Sequence, residues 1–115
     1  MTGRDAWVTT ANSFDGYRIV RYLGVVRGIT VRSASALGNF AAGIQGFLGG
    51  NVTAYTELAE NSRIEAYELM VSHAAQLGAN AIIAARYDAT EVAQGMTEVL
   101  AYGTAVVIEA LPAGH

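Results

Sequence analysis

The sequence predicts one α+β domain in which helices cover one face of a mainly antiparallel sheet. The length of 115 residues, 52% of them hydrophobic, suits a single globular domain. Segments rich in β-branched and aromatic residues occur in pairs near both ends of the chain, and the middle has the apolar spacing of helices. The resulting order, β-β-α-α-β-β, is typical of a sheet with its helices on one side.

Residues 7–10 and 17–31 are predicted to be the first two strands. The intervening sequence Ala-Asn-Ser-Phe-Asp-Gly has turn composition, so the two segments form either a hairpin or a two-strand start. Neither alternating face of the longer segment is cleanly polar, which indicates that both faces are covered. A strand of this length usually bends, and we expect a bulge at Gly24 or Gly28.

Residues 36–50 are predicted to form a first helix with one apolar stripe. Gly43 and Gly46 weaken this helix by up to about 1 kcal/mol each relative to Ala. We therefore expect another backbone to pack closely here, which places Gly43, Gly46 and Phe47 at an oligomer interface. A membrane-surface helix is the alternative, but the segment has no basic polar face to hold it on lipid.

The strongest helix prediction covers Ala54–Leu77. Asn51 or Thr53 is suited to cap its start, and Gly78 is suited to end it. A capping-box pattern leaves one break near Asn61 possible.

The surface of this main helix is unusually apolar. Its polar arc spans only about 80°. That arc consists of Glu65, Glu68, Ser72 and Gln76. The apolar remainder is wider than the stripe that one sheet requires, so we expect a second subunit to cover the excess. The predicted oligomer interface on this helix consists of Tyr67, Leu69 and Met70.

Two further strands, residues 81–87 and Glu98–Ala110, are predicted after the helix, joined by residues 88–97. Both faces of the last strand carry apolar or small side chains, which again indicates cover on both sides.

The overall composition also favours self-association. Only 15% of the residues are charged, against about 25% in a typical soluble domain. The charges are uneven, with net +3 over residues 1–52 and net −6 over residues 53–115. Charges scattered over a solvated surface would explain this pattern. Contact between the basic N-terminal half of one subunit and the acidic C-terminal half of another would explain it equally. A nucleic-acid face is not expected, because the arginines are dispersed along an apolar segment.

Missing residue types exclude several kinds of chemistry. Without Lys there is no Schiff base, and without Cys there is no disulfide, thiolate metal site or thiol nucleophile. No apolar stretch approaches the roughly 18 residues of a membrane span, and no signal-peptide core follows the first residues. We therefore expect a cytoplasmic protein without a membrane span.

His73 is the most interesting polar residue, since the other histidine, His115, ends the sequence. Its place among apolar helix residues favours a buried, hydrogen-bonded side chain over a metal ligand or general base. No second ligand stands one helical turn away. Most carboxylates of the main helix are expected to form a solvated stripe. Asp88 and Glu91 lie at a strand end, where acids from another chain could join them to bind a hard cation. An enzyme would need His73 with one of these acids in a cleft.

Several segments resemble the YbjQ family of small bacterial and archaeal proteins, over about residues 13–109 of this single 1–115 domain. The most specific segments are Gly24-Val25-Val26 with Gly28, residues 42–50, Tyr55, Leu77-Gly78-Ala79-Asn80-Ala81 and Gly103-Thr104-Ala105-Val106. The resemblance implies a dodecin-like subunit in a ring of five. It also implies a metal ion, because the family is described as heavy-metal-binding. Related chains can place Cys before Gly-Val-Val, where this chain has Leu23, so His73 and methionine sulfurs are its only soft ligands.

The sequence thus favours a homo-oligomer with a binding or scaffold role and no catalysis, and the resemblance implies that the oligomer is a pentamer. Three alternatives stay open: a metal-binding module with ligands from several subunits, a small-ligand carrier, and an enzyme of unknown reaction. The carrier would use grooves between subunits lined by Tyr17, Tyr22, Tyr55, Tyr67 and Phe47.

Overall fold

The computed structural model describes residues 7–33 and 52–113, and for Ser33 and residues 52–56 it describes the backbone only. The predicted helix of residues 36–50, with Gly43, Gly46 and Phe47, lies outside the described residues. The described elements are β1 (Trp7–Val8), β2 (Tyr17–Ser33), α1 (Val52–Gln76), β3 (Ala81–Ala93) and β4 (Met96–Ala110). They form an α+β fold, as predicted.

The sheet is mixed and has the strand order β1-β3-β4-β2. β1 pairs in parallel with β3, while β4 pairs antiparallel with both β3 and β2. The hairpin alternative for the first two strands is therefore wrong, because β1 and β2 lie at opposite edges. The alternative of two separate strands at the start of the chain is confirmed. β1 pairs with β3, and β2 pairs with β4.

β3 and β4 form a hairpin that is longer than the sequence predicted. Their pairing continues to Ala93 opposite Met96, and Gly95 takes a positive φ of 73° in the connection. The predicted strand stopped at Tyr87 because the residues after it are polar. These residues stay in the strand because β4 supplies backbone partners, although their side chains face solvent.

α1 runs without a break, so the possible restart near Asn61 does not occur. The Ser62 hydroxyl donates to the carbonyl of Leu58 at 3.0 Å, inside the helix rather than at a cap. The helix ends at Gln76, and Gly78 follows it with a φ of +86°. The amide of Ala79 donates to Ala74 at 3.1 Å and that of Gly78 to Ala75 at 3.0 Å. This pair of bonds is a Schellman motif, and the predicted glycine stop is confirmed.

α1 lies mainly over β2 and β4 and touches β3 little. The crossing point is Gly28, where a Cβ would stand 2.0 Å from the carbonyl oxygen of Ala66 and 2.6 Å from the amide nitrogen of Met70. Gly28 is therefore a close-approach site. The bulge falls at Gly24, where the register with β4 shifts and φ is +104°.

The main core fills the space between helix and sheet. It consists of Val26, Ala66, Met70, Val71, Ala74, Ala79, Ile82, Ala85, Ala101 and Ala105.

A second apolar cluster covers one end of the opposite sheet face. Its buried members are Ala81, Ile83, Val106 and Ile108. Phe14 and Tyr17 pack against them, and the ring of Trp7 stands 4.7 Å from that of Tyr17. β4 is thus covered on both faces at this end, as its two apolar faces predicted. Farther along the sheet the described residues leave this face open, and Val25 is 71% exposed.

Candidate functional site

His73 is partly buried and hydrogen-bonded, as its place in the apolar arc predicted. Its Nδ1 accepts from the backbone amide of Arg27 at 3.3 Å. Because Arg27 belongs to the edge strand β2, the imidazole satisfies a donor at that edge of the sheet. An Nδ1 that accepts an N–H leaves only Nε2 of this ring for any other partner.

The described residues do not fit a heavy-metal site. Soft metals are held by convergent thiolate or imidazole donors, and the sequence contains no Cys. Across residues 7–33 and 52–113, no three His, Asp or Glu side chains come together in a group that could hold an ion. His73 therefore stands without a second protein ligand in the described part of the chain.

The candidate acids Asp88 and Glu91 accept hydrogen bonds from backbone amides of the hairpin. Oδ1 of Asp88 accepts from the amide of Ala89 at 3.1 Å, and Oε1 of Glu91 accepts from that of Gly95 at 3.2 Å. Within the described part of the chain no hydrogen bond joins either acid to His73. The general-base arrangement considered from the sequence is not assembled by these contacts.

An open groove runs between α1 and β3, because the helix lies over the other two long strands. Its volume is about 410 Å³. Its lining residues are Glu60, Arg63, Ile64 and Tyr67 of the helix and Tyr87 of β3. Arg63 also borders a neighbouring hollow of about 300 Å³. That hollow is further lined by Arg32, Leu58, Ala59, Ser62, Ala89, Thr97 and Val99.

The two tyrosines of the groove are neutral hydrogen-bonding groups at physiological pH. Burial raises the pKa of Tyr67, and the nearby Tyr87 and Glu68 raise it further. Burial likewise raises the pKa of Tyr87, Glu60 adds to the rise, and Arg63 opposes it. Both phenols therefore keep their protons, and the groove combines two O–H groups with one guanidinium. Of these groups the sequence predicted only Tyr67.

The three helix residues predicted for an oligomer interface, Tyr67, Leu69 and Met70, lie in three different environments. Tyr67 lines the groove on the β3 side, whereas Leu69 lies over β2, its Cβ 2.7 Å from where a Cβ of Gly28 would stand. Leu69 is 45% exposed, but Met70 between them is 1% exposed. Met70 belongs to the subunit's own core, because it points straight at the sheet, and this corrects its assignment to an interface.

Of the other aromatic residues predicted for a ligand groove, Tyr17 and Tyr22 do not line the groove with Tyr67. Tyr17 packs on the opposite sheet face beside Trp7, and Tyr22 is exposed on β2. The side chain of Tyr55 and all of Phe47 lie outside the described residues. Within the described ranges, none of the helical sequence has the length and apolar character of a membrane span.

Comparison with known proteins agrees with the resemblance seen in the sequence. A family model described as "Putative heavy-metal-binding" matches residues 6–109. A UPF0145 protein of Solibacter usitatus is 57% identical over 107 residues, covering 93% of this chain and 94% of its own. A UPF0145 protein of Chromobacterium violaceum is 60% identical over 104 residues, covering 90% of this chain and 89% of its own.

Among solved structures, a protein of unknown function from the DUF74 family of Pediococcus pentosaceus matches with a TM-score of 0.45 and 19% identity. The match covers 90% of this chain and 98% of that one. The family model and the two bacterial relatives span nearly the whole sequence. This chain therefore belongs to the YbjQ family, also named UPF0145.

Proposed function

We propose that this protein is a homo-oligomeric binding or scaffold protein, a ring of five subunits, without catalytic activity. The observation that carries the proposal is apolar surface that residues 7–33 and 52–113 leave uncovered on both sides of α1. Ile64 is 53% exposed on the β3 side, and Leu69 is 45% exposed on the β2 side. The open sheet face adds Val25, Ile29 and Val31. Contiguous exposed apolar patches mark interaction sites, and we infer that these residues pack against another subunit.

A binding role is supported over catalysis by what the titratable side chains already do. His73 accepts from a strand amide, and Asp88 and Glu91 accept from amides of the hairpin. A general base must reach the proton it removes, and these groups are engaged with backbone. Cytoplasmic localisation stays a prediction from the sequence.

Light scattering on the purified protein tests the proposal. With a subunit mass of 12.1 kDa, five subunits give about 60 kDa. We expect this mass at micromolar concentration and its persistence on dilution. A folded monomer of 12.1 kDa at the same concentration contradicts the proposal.

A small-ligand carrier is the second candidate function, and the groove between α1 and β3 favours it. Two neutral phenols and Arg63 suit the carboxylate or carbonyl oxygens of a ligand, while Ile64 and the hollow beyond Arg63 suit an apolar part. Native mass spectrometry tests this role. Retained mass that is lost in Tyr67→Phe and Arg63→Gln variants supports it, and unliganded protein from cells contradicts it.

A further inference from the structure

The groove between α1 and β3 contains one acid and one base that are not paired with each other. Glu60 and Arg63 lie three residues apart on the helix, and both line the groove. Neither belongs to the two ion pairs found among the side chains of residues 7–32 and 57–113. An exposed pair at this spacing contributes little to stability, so a ligand that binds both groups separately gives up little.

Both charges lie near the same phenol, that of Tyr87 on β3. Burial raises the pKa of Tyr87, the carboxylate of Glu60 raises it further, and the guanidinium of Arg63 lowers it. Opposite effects on one hydroxyl require an anion and a cation within reach of it. The carboxylate, the guanidinium and the neutral phenol therefore border one space of about 410 Å³, a volume typical of small-ligand sites.

The lining of the groove carries no net charge. Of the five described side chains that form it, one is acidic, one is basic and three are neutral. A ligand with a strong charge of one sign, such as a phosphate, would meet one attractive group and one repulsive group here. A ligand that carries both signs close together is attracted by both groups.

Apolar hollows adjoin the groove on two sides. Beyond Arg63 lies the hollow of about 300 Å³, where Leu58 and Val99 supply apolar surface. Beyond the two tyrosines lies a smaller hollow of about 110 Å³, bordered by Val8 and Met70. A ligand held by the two charges can therefore extend an apolar group onto apolar surface.

We propose that this groove binds a free amino acid with an apolar side chain, in its zwitterionic form. The carboxylate of the ligand pairs with Arg63, its ammonium group pairs with Glu60, and its side chain enters one of the apolar hollows. This inference rests on the carrier role, the second candidate function above, and names the class of ligand. A neighbouring subunit packed against Ile64 would close the open side of the groove over the ligand.

Calorimetry with related probes on the purified full chain tests the ligand class. L-phenylalanine carries both charges, hydrocinnamate lacks the ammonium group, and phenethylamine lacks the carboxylate. We expect L-phenylalanine to bind with millimolar or tighter affinity. Each single-charge probe should bind at least about tenfold more weakly, because it leaves one charge of the groove unpaired.

Two variants that each remove one charge test the assigned groups. Glu60→Gln should abolish the advantage of L-phenylalanine over hydrocinnamate, and Arg63→Gln should abolish its advantage over phenethylamine. The matched control is Glu57→Gln, which changes an exposed acid of the same helix that does not line the groove and should leave every affinity unchanged. Circular dichroism melts establish that each variant folds.

The contrary outcomes separate this inference from the carrier role and from the oligomer. Hydrocinnamate that binds as tightly as L-phenylalanine contradicts the zwitterion but leaves a carrier of carboxylates. A molecule that is retained from cells and is not an amino acid likewise contradicts the ligand class alone. If neither L-phenylalanine nor L-leucine binds to a folded oligomer, the inference is overturned and the proposed assembly stands.

Discussion

Gly28 is the point at which α1 and β2 come closest, and Gly28→Ala is the most informative change for stability. A Cβ there would lie 2.0 Å from the Ala66 carbonyl oxygen and 2.6 Å from the Met70 amide nitrogen, both of them backbone atoms of the helix. To regain a contact of 3.4 Å the helix must retreat by about 1.4 Å. That retreat loosens the packing of Val26 against Met70 at the centre of the core.

Overpacking of a core costs about 1–3 kcal/mol and occasionally more. Because neither clashing atom can rotate away, we expect the upper end, about 3 kcal/mol, and a decrease in Tm of at least about 10 °C. Thermal and urea unfolding at one fixed protein concentration measure the change. Gly24→Ala is the matched control, since its Cβ meets nothing within 4 Å and only its φ of +104° adds strain, at about 1–2 kcal/mol. A Gly28→Ala protein as stable as the wild type would refute the crossing geometry.

Five other substitutions, in four experiments, test separate parts of the chain. Leu69→Asp should disperse the oligomer, because it places a charge on the exposed apolar side of the helix over β2, and unchanged mass in light scattering would count against this. Gly43→Ala and Gly46→Ala should each lower the Tm through lost close packing, whereas a higher Tm in both would show a solvent-facing helix. Calorimetry with zinc and copper, on protein from which His115 has been removed, should show weak binding. Submicromolar affinity that His73→Ala abolishes would instead show a metal site formed by His73 of several subunits. Tyr67→Phe should reduce the loss of stability that occurs as the pH rises above about 10. The pKa of Tyr67 is raised in the folded state, so the unfolded chain loses that proton first. Identical alkaline unfolding curves for the two proteins would contradict this.

Local sequence patterns predict most of the described elements. β-branched composition locates β2, and the glycine stop locates the end of α1, because both depend on residues near in sequence. The pairing of β1 with β3 was not predictable in this way, since Trp7 meets Ala81 across most of the chain. The far half of β3 was missed because its polar side chains have no core to face, although β4 holds the backbone in place.

The candidate site was predicted only in part, because its shape depends on where the helix crosses the sheet. Gly28 sets that crossing by admitting the helix backbone, and the groove over β3 follows from it. The sequence pattern assigned Gly28 a possible bulge and gave no reason to place Tyr87 beside Tyr67. It did identify the excess of apolar helix surface, which Leu69 and Ile64 now carry on opposite sides.

Native mass spectrometry of the purified protein tests the central claim most directly, because it counts subunits and detects bound molecules together. We expect one dominant species of five 12.1 kDa chains, which Leu69→Asp disperses into single chains. A spectrum of single folded chains from a native, micromolar solution would contradict it.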